Sequence, residues 1–362
     1  MLGGIILKKT LKYFLAANSC QGFVSYFDKC YNPYDQWKAY IIKGGPGTGK
    51  SSFMRKIAQK AQNKNEEFIL CPCSSDPNSL DAVIFPNKKT VIMDGTAPHC
   101  VDPRYPAVCE EILNFGQFWD TKKVTNGKEI IEITNQNKKL HKTVANYLFA
   151  AGKIIKDSYK TVDSCIKTEK VKNFALSLCE KYIEKSNGKP YEWKAFLGGV
   201  TPQGIITYPE TVTNSCDNII VISDSQKAVS NIIMNTVRAE ALKNGHFIIT
   251  LENPLLPNLC EHIIIPKLSL CFVTEDQNTL FDTNVRRIHA QRFIDRKKLN
   301  LFKERLKLNK KFTENLLSSA TDTLKKAKAV HDNLESYYIN AMDFTALNKF
   351  TEDFAKKCLL ET

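Results

Sequence analysis

Residues 41–52 read IIKGGPGTGKSS, and they are the strongest indication of fold in the chain. Residues 44–51 match the pattern G-x-x-x-x-G-K-[ST], which is typical of a phosphate-binding loop. The apolar residues 39–43 before the loop predict a buried parallel strand, and residues 52–64 after it predict an amphipathic helix. Together they predict an α/β fold of the P-loop NTPase type, with three layers around a parallel sheet. The alternative is a glycine-rich turn that holds no ligand.

The residue types in this loop suit the binding of a nucleotide. Glycines let the backbone wrap so closely that several N–H groups point at phosphate oxygens, and the following helix adds the positive end of its dipole. Lys50 is expected to bridge the terminal phosphates, and Ser51 to hold Mg²⁺, which prefers hard oxygen ligands. The predicted nucleotide-binding residues are Gly44, Gly45, Pro46, Gly47, Thr48, Gly49, Lys50, Ser51 and Ser52. The expected ligands are therefore ATP and Mg²⁺.

A second apolar strand, residues 90–95 with the sequence TVIMDG, ends in Asp94. An apolar strand that ends in Asp is typical of the Walker B element, whose carboxylate completes the Mg²⁺ shell opposite Ser51. Asp94 is therefore predicted to be a metal ligand and a catalytic residue. An Asp-Gly pair is also an ordinary turn signal after a strand, which leaves a purely structural alternative open.

Two further segments contain candidate catalytic residues. Residues 74–81, SSDPNSLD, follow another predicted strand, and Asp76 there is a candidate general base or metal-shell ligand. Residues 96–104 read TAPHCVDPR; His99 is a candidate sensor of the terminal phosphate, and Arg104 a candidate to neutralise transition-state charge. Each has a structural alternative, because Asp and Ser before Pro form turns and helix caps, and a loop His or Arg often serves structure alone.

The chain contains an internal repeat. Residues 14–26 read FLAANSCQGFVSY and residues 196–208 read FLGGVTPQGIITY, with Phe, Leu, Gln, Gly and Tyr in register. The matches continue in order, which is the signature of a duplicated structural unit. The further pairs of segments are 39–43 with 218–223, 53–57 with 233–237, 68–71 with 247–250, 82–86 with 263–267, and 90–95 with 271–276.

The second copy lacks the phosphate-binding pattern. Residues 223–231 read SDSQKAVSN and contain no glycine, although a strand is predicted before them and a helix after them. Without glycines the backbone cannot wrap around a triphosphate. The second half is therefore predicted to keep the fold without the nucleotide site, and a divergent site of another kind is the alternative.

Each half is followed by a long helical segment. Residues 136–185 and 284–360 are rich in lysine, nearly free of Gly and Pro, and have apolar residues at helical spacing. Coiled-coil arms are one arrangement that these helices could adopt. The predicted domains are a P-loop domain over 1–130, a helical segment over 131–190, a degenerate P-loop-like domain over 191–280 and a C-terminal helical segment over 281–362.

Composition limits the class of protein. No apolar run is long enough to span a membrane and the N-terminal residues do not fit a signal peptide, so we expect a cytoplasmic protein without a membrane partner. The twelve cysteines are scattered, which favours reduced thiols, and Cys71 and Cys73 lack the second pair that a zinc site needs. The net charge is +13, but the lysines are spread along helices, so a nucleic-acid partner is not favoured.

These motifs resemble those of a family of bacterial P-loop ATPases built as two tandem halves. The resemblance rests on residues 14–26, 41–57, 73–86 and 93–106, and on residues 196–208 at the start of the second half. It covers most of the chain and is specific in the first half. It implies a P-loop NTPase fold and ATP binding, but no physiological substrate. Relatives can carry a second glycine-rich loop, and its absence here argues against a two-site mechanism.

Three functions are consistent with these features. The favoured one is Mg²⁺-dependent ATP hydrolysis at the single N-terminal site, with a regulatory or scaffolding second half. The second is a kinase for a small molecule or nucleotide, although residues 100–130 contain only Arg104 where such enzymes close an arginine-rich lid. The third is a nucleotide-gated module whose basic helices bind a nucleic acid or an acidic protein. A protein partner or self-association is left open in each case.

Overall fold

The structure is a computed structural model that describes residues 11–98, 100–281 and 285–360. The first part of the chain forms β1 (Leu11–Lys12), β2 (Ala16–Ser19), β3 (Gly22–Ser25), β4 (Lys38–Lys43), α1 (Lys50–Asn63), β5 (Ile69–Pro72), β6 (Leu80–Phe85), β7 (Thr90–Asp94), β8 (Glu110–Asn114), α2 (Gly127–Asp163) and α3 (Thr168–Tyr182). The second part forms β9 (Tyr191–Ala195), β10 (Gly198–Thr201), β11 (Gly204–Thr207), α4 (Pro209–Ser215), β12 (Asn218–Ser223), α5 (Ala228–Lys243), β13 (Phe247–Glu252), β14 (Cys260–Ile265), β15 (Leu270–Glu275), β16 (Arg286–His289), α6 (Arg296–Asn300), α7 (Lys303–Ile339) and α8 (Phe344–Leu360).

Each half contains a six-stranded sheet, and the strand order is the same in both. The order is β1-β5-β6-β7-β4-β8 in the first half and β9-β13-β14-β15-β12-β16 in the second. The α/β class and the two-half organisation are therefore confirmed. The prediction of a parallel sheet is wrong, because β6 and β14 run antiparallel to both of their neighbours. The short connection over residues 86–89 between β6 and β7 explains this, since parallel neighbours need a crossover of a dozen residues or so.

Alternate side chains of each sheet belong to two different cores. In β4, Tyr40 and Ile42 pack in an outer core with Phe53 of α1, whereas Ile41 belongs to an inner core that includes Val221 of β12. Successive residues of a strand point to opposite faces, so each sheet has one face towards its own helices and one towards the other half. The predicted three-layer arrangement is corrected accordingly: the inner face of each sheet is covered largely by the other half and not by a second layer of helices.

Equivalent residues of the two halves contact each other, which indicates an approximate two-fold axis. Phe14 and Phe196, which align in the sequence repeat, exchange backbone hydrogen bonds with N–O distances of 2.9 Å in both directions. Val144 and Ala320 occupy the same position in α2 and α7 and share one small core. The internal repeat in the sequence thus corresponds to a structural duplication.

The helices that follow each half cross over to the other half. α2 and α7, of 37 residues each, are antiparallel: Ile130 packs near Leu334 at one end, and Asp157 bonds to Arg305 at the other, with an Nε–Oδ2 distance of 2.9 Å. Beyond the crossing, α3 packs on α5 of the second half, and α8 packs on α1 of the first. None of the helices in the described ranges is long and apolar enough to cross a membrane.

The boundaries of the predicted helical segments change at two places. α2 begins at Gly127, before the predicted start at residue 136. Residues 286–289, predicted as helix, form the edge strand β16 beside β12. The sequence of this strand is RRIH, in which Ile288 alone is buried, so the apolar alternation that identifies a strand is missing.

One cysteine pair departs from the expectation of reduced thiols. Cys216 and Cys271 form a disulfide between the end of α4 and β15, and the other ten cysteines, all in the described part of the chain, are free. The two residues are 55 positions apart in the sequence, and only the packing of α4 on the sheet brings them together.

Candidate functional site

Residues 44–49 form a loop between the end of β4 and the start of α1, which we call the glycine loop. β4 lies between β7 and β8, so the loop lies at the carboxyl ends of three adjacent parallel strands. Gly47 and Gly49 have φ angles of +68° and +79°, a region in which L side chains are strained. A Cβ on Gly44 would lie 2.8 Å from Oγ1 of Thr48. The path of this loop therefore requires its glycines.

Lys50 and Asp94 lie side by side at the glycine loop. The Nζ of Lys50 donates to the carbonyl oxygens of Gly44 and Gly45, at 3.0 and 2.9 Å, and lies 3.6 Å from Oδ2 of Asp94. The carboxylate of Asp94 also accepts hydrogen bonds from the amide and the hydroxyl of Thr96, at 2.8 and 2.5 Å. The two charged side chains are only 13% and 14% exposed, so the structure brings this predicted pair together in a mostly buried position.

Ser51 and Asp76 lie on the adjoining side of the loop. The Oγ of Ser51 accepts a hydrogen bond from the amide of Leu80 at 2.9 Å, which ties α1 to the start of β6. Asp76 stabilises the turn before β6, because its two carboxylate oxygens accept from the amide of Asn78 and the hydroxyl of Ser79, both at 3.1 Å. The turn-forming alternative for Asp76 is therefore observed in its contacts.

Arg104 is placed away from these residues. Its Nε lies 3.8 Å from a carboxylate oxygen of Glu110, and its guanidinium packs 5.8 Å from the ring centre of Tyr31. Glu110 is the first residue of β8 and pairs with Ala39 near the start of β4, whereas the glycine loop follows the end of β4. Arg104 thus lies towards the opposite end of the sheet, and its contacts there are with a buried carboxylate.

Of the remaining predicted residues, one is buried, one is exposed and one lies outside the described part of the chain. Thr48 is buried, and its hydroxyl donates to the carbonyl oxygen of Gly45 at 2.9 Å. Ser52 is exposed on the first turn of α1. His99 lies outside the described residues, and its role as a phosphate sensor stays a prediction.

The helices α7 and α8 cover the glycine loop, which the sequence did not indicate. The amide of Gly47 donates a hydrogen bond to Oε1 of Glu335, at 3.2 Å. A Cβ on Gly47 would lie 2.9 Å from the carbonyl oxygen of Glu335, and one on Gly49 would lie 3.1 Å from a methyl group of Leu347. The loop is therefore in van der Waals contact with a helix that follows the second half of the chain.

The environment of Glu335 favours its ionised form. The Nε2 of His331, one turn earlier on α7, lies 3.5 Å from Oε1 of Glu335. This contact holds the pKa of Glu335 below its usual range, and the amide of Gly47 and the charge of Lys50 act in the same direction. An ionised carboxylate thus accepts the N–H group of Gly47.

α7 also contributes a cation next to the predicted Asp76. The Nζ of Lys328 lies 3.4 Å from Oδ2 of Asp76 and 2.8 Å from Oδ2 of Asp332. Burial alone would lower the pKa of Lys328, but the hydrogen bond to Asp332 and the charge of Asp76 outweigh it and raise that pKa. The site is thus shared between the first half and the helix that follows the second half.

An aromatic pair forms the wall of the loop on its other side. The ring of Trp119 stacks on Tyr338 of α7, with a distance of 5.4 Å between ring centres. A Cβ on Gly45 would lie 2.8 Å from the same indole. Gly45 is therefore required by the packing of Trp119 against the loop, a reason for this glycine that the motif does not supply.

The structural duplication gives Glu335 a counterpart in α2. Glu335 lies four residues before the end of α7, and Tyr159 lies four residues before the end of α2. The hydroxyl of Tyr159 accepts a hydrogen bond from the side chain of Asn231 in α5, at 2.9 Å. Both positions contact the helix or loop of the opposite half, and only the one that faces the glycine loop is a carboxylate.

The corresponding loop of the second half, residues 224–227, is two residues shorter than the glycine loop. The carboxylate of Asp224 is buried and accepts the N–H groups of Val229 and Ser230 at the start of α5, both at 2.9 Å. The donors that would face an anion are thus occupied by the chain itself. β15 carries Thr274 at the register position that Asp94 holds in β7.

Lys227 in this second loop is held by two carboxylates. Its Nζ bonds to Glu261 and lies 2.9 Å from Oδ2 of Asp276. Burial alone would lower the pKa of Lys227, but these two carboxylates outweigh it and raise that pKa. The amine is therefore engaged by two buried carboxylates, whereas Lys50 in the first half has one carboxylate partner and two carbonyl contacts.

Comparison with models of known protein families, with curated proteins and with solved structures finds no match to this chain.

The residues at the glycine loop fit a nucleoside triphosphate with Mg²⁺. A backbone that takes left-handed angles at Gly47 and Gly49 leads into a helix N-terminus, where N–H groups attract anions. The hydroxyl of Ser51 and the carboxylate of Asp94 are the hard oxygens that Mg²⁺ prefers. In residues 11–98, 100–281 and 285–360, no three His, Cys, Asp or Glu side chains cluster in a way that could hold a metal. Mg²⁺ that arrives with substrate phosphates needs one or two protein oxygens only.

Proposed function

We propose that this protein binds ATP with Mg²⁺ at the glycine loop and hydrolyses it. The observation that carries the proposal is the pair of Lys50 and Asp94, whose Nζ and Oδ2 atoms are 3.6 Å apart at the ends of adjacent parallel strands. The glycine loop and the N-terminus of α1 lie beside this pair. A cation, a metal-binding oxygen and several N–H donors therefore converge where a polyphosphate would lie.

The residues of the site have separable tasks in this proposal. The N–H groups around Gly47 and Gly49 hold the phosphates, and Lys50 turns from the carbonyl oxygens of the loop towards the terminal phosphates. Ser51 and Asp94 are the residues that would hold Mg²⁺, which supplies positive charge to the phosphate oxygens when bound. Arg104 is left out of the mechanism because its contacts lie with Glu110, towards the other end of the sheet.

A single site is proposed, because the second loop is closed by its own side chains. Asp224 occupies the helix N-terminus, and Lys227 is engaged by Glu261 and Asp276. The second half then serves as a scaffold, and it supplies α7 and α8 to the site of the first half. This arrangement supports a regulatory role for the second half.

Substitution of Lys50 tests the proposal directly. Lys50→Ala is expected to lower the rate of Mg²⁺-dependent phosphate release by about 100-fold or more, because it removes a charge that stabilises the transition state. Lys64→Ala, at the exposed end of the same helix, is the matched control and should retain the wild-type rate. Equal rates for the wild type and Lys50→Ala would rule out the glycine loop as the site of hydrolysis.

The same assay separates hydrolysis from phosphate transfer. Wild-type protein is incubated with ATP labelled at the terminal phosphate, with and without a mixture of nucleosides and small hydroxylated metabolites as acceptors. Hydrolysis predicts free phosphate in both reactions. Label that appears in an acceptor, with little free phosphate, would replace the proposed hydrolase by a kinase.

A further inference from the structure

The contact between Glu335 and Gly47 places a negative charge inside the glycine loop. Oε1 of Glu335 accepts the N–H of Gly47 at 3.2 Å, and the Gly47 N–H belongs to the group of donors that would hold phosphate. The side chain of Glu335 is 37% exposed, so it is only partly enclosed by its neighbours. A carboxylate from a distant part of the chain thus occupies a donor of the proposed nucleotide site.

The second half contains an anion that belongs to its own loop. Asp224 is 5% exposed, lies in the loop itself and accepts two N–H groups of α5. Glu335 differs in each respect, because it comes from a helix 288 residues away in the sequence, accepts one N–H of the loop and retains contact with solvent. Asp224 is built into its loop, whereas Glu335 can leave without unfolding the glycine loop.

We propose that Glu335 is an internal competitor of the phosphate groups, which nucleotide binding must displace from Gly47. This inference rests on the proposed function and adds a regulation of the same site. One N–H cannot donate fully to two anions, and a carboxylate beside a polyphosphate is repelled by it. The apparent affinity for the nucleotide is therefore reduced by the fraction of molecules in which Glu335 occupies the loop.

Displacement of Glu335 also has a consequence for the second half. Glu335 lies near the end of α7, which extends over about 55 Å and bonds at its other end to Asp157. The backbone of α7 lies against Gly47, and Tyr338 stacks on Trp119. A nucleotide that separates Glu335 from the loop removes one of the contacts that hold this end of α7, so we expect the end of α7 to become more mobile.

The test compares the wild type with Glu335→Gln, which keeps the shape and an oxygen acceptor but removes the charge. Binding of a fluorescent ATP analogue with Mg²⁺ is measured by titration, and Glu335→Gln is expected to bind about tenfold more tightly, as the loss of a charged hydrogen-bond acceptor suggests. Glu314→Gln, an exposed glutamate on the same helix, is the matched control and should bind like the wild type. Hydrogen exchange over residues 328–342 is measured in parallel, and should be faster in Glu335→Gln and in the nucleotide-bound wild type.

Three outcomes would overturn the competition, and one of them would reject the proposed function as well. Equal affinities for the wild type and Glu335→Gln would overturn the competition and leave the proposed function standing. A weaker affinity of Glu335→Gln would overturn it as well, because Glu335 would then assist binding. If neither protein binds the analogue, both the proposed function and the competition are rejected.

Discussion

The loop after β4 and the loop after β12 follow equivalent strands and precede equivalent helices, but they satisfy the helix N-terminus in different ways. The first loop has six residues, and its glycines leave N–H donors that a ligand or Glu335 can reach. The second loop has four residues, and its shorter path brings Asp224 within 2.9 Å of two N–H groups of α5. The N-termini of α1 and α5 both favour a negative charge. In the second half a side chain of the loop itself supplies that charge, whereas the first loop leaves its donors to Glu335 or to the proposed ligand.

The lysines of the two loops show the same contrast. Lys50 contacts one carboxylate and two carbonyl oxygens, and the proposed nucleotide would replace the carbonyl contacts. Lys227 is held by Glu261 and Asp276, two carboxylates whose side chains are only 7% and 8% exposed. The comparison predicts that Lys50 matters for activity and Lys227 for stability.

The largest effect on stability is expected from Lys227→Met. The substitution leaves Glu261 and Asp276 buried without their cation, so the free energy of unfolding should fall by about 3–5 kcal/mol. Urea denaturation followed by circular dichroism measures it. Lys243→Met, whose side chain is 72% exposed, is the control and should change stability by less than about 0.5 kcal/mol. A loss below about 1 kcal/mol for Lys227→Met would mean that the cluster is hydrated and not a closed interior.

The second half should contribute an acid-dependent loss of stability that has no equivalent at the same place in the first sheet, because His262 stands at the register position of Ala82. Burial lowers the pKa of His262 to about 4. The folded state keeps the ring neutral and the unfolded state protonates it below about pH 6.5, so stability is full above that pH and declines towards pH 4, by up to about 1.4 kcal/mol per pH unit. His262→Gln should remove this component from the pH dependence of urea unfolding, whereas His289→Gln, at an exposed position, should not. If the free energy of unfolding changes equally with pH in the wild type and in His262→Gln, then His262 is not the source of this acid-dependent loss.

The smallest effect is expected from Asp224→Ala. Loss of the carboxylate leaves the N–H groups of Val229 and Ser230 without their acceptor, at a cost of about 1–2 kcal/mol. Asp224→Asn keeps one acceptor oxygen and should cost less. Asp322→Ala, an exposed position on α7, serves as the control in the same denaturation series. No loss in Asp224→Ala would show that water replaces the cap and that the second loop is more open than its contacts indicate.

The sequence repeat predicted the correspondence of the two halves, but not its exact register. The sheet pairs place Ile69 of β5 in correspondence with Ile249 of β13, whereas the segments 68–71 and 247–250 aligned Ile69 with Ile248. The same shift of one residue affects β7, so that Thr274 and not Glu275 takes the place of Asp94. Apolar strands of similar composition align almost equally well at neighbouring registers, and only the hydrogen-bonded pairs separate them.

Short-range patterns were sufficient for the elements that carry the candidate site. The glycines of residues 44–49 predicted a loop between a strand and a helix, because the backbone angles at Gly47 and Gly49 exclude most other residues. Asp94 followed from the apolar strand before it, and it lies beside Lys50. Arg104 did not follow in this way, because nothing in a loop sequence states towards which end of the sheet the side chain turns.

Local chemistry in the amino-acid sequence thus established the glycine loop, the duplication and the long helices. It could not establish that α7 returns to the first half, because helical periodicity identifies an apolar face but not the surface on which that face packs. Through this packing Glu335 reaches the glycine loop across 288 residues of chain, and Lys328 reaches Asp76. The negative charge in the loop is a product of tertiary contacts, since neither Gly47 nor Glu335 carries a local signal of the other.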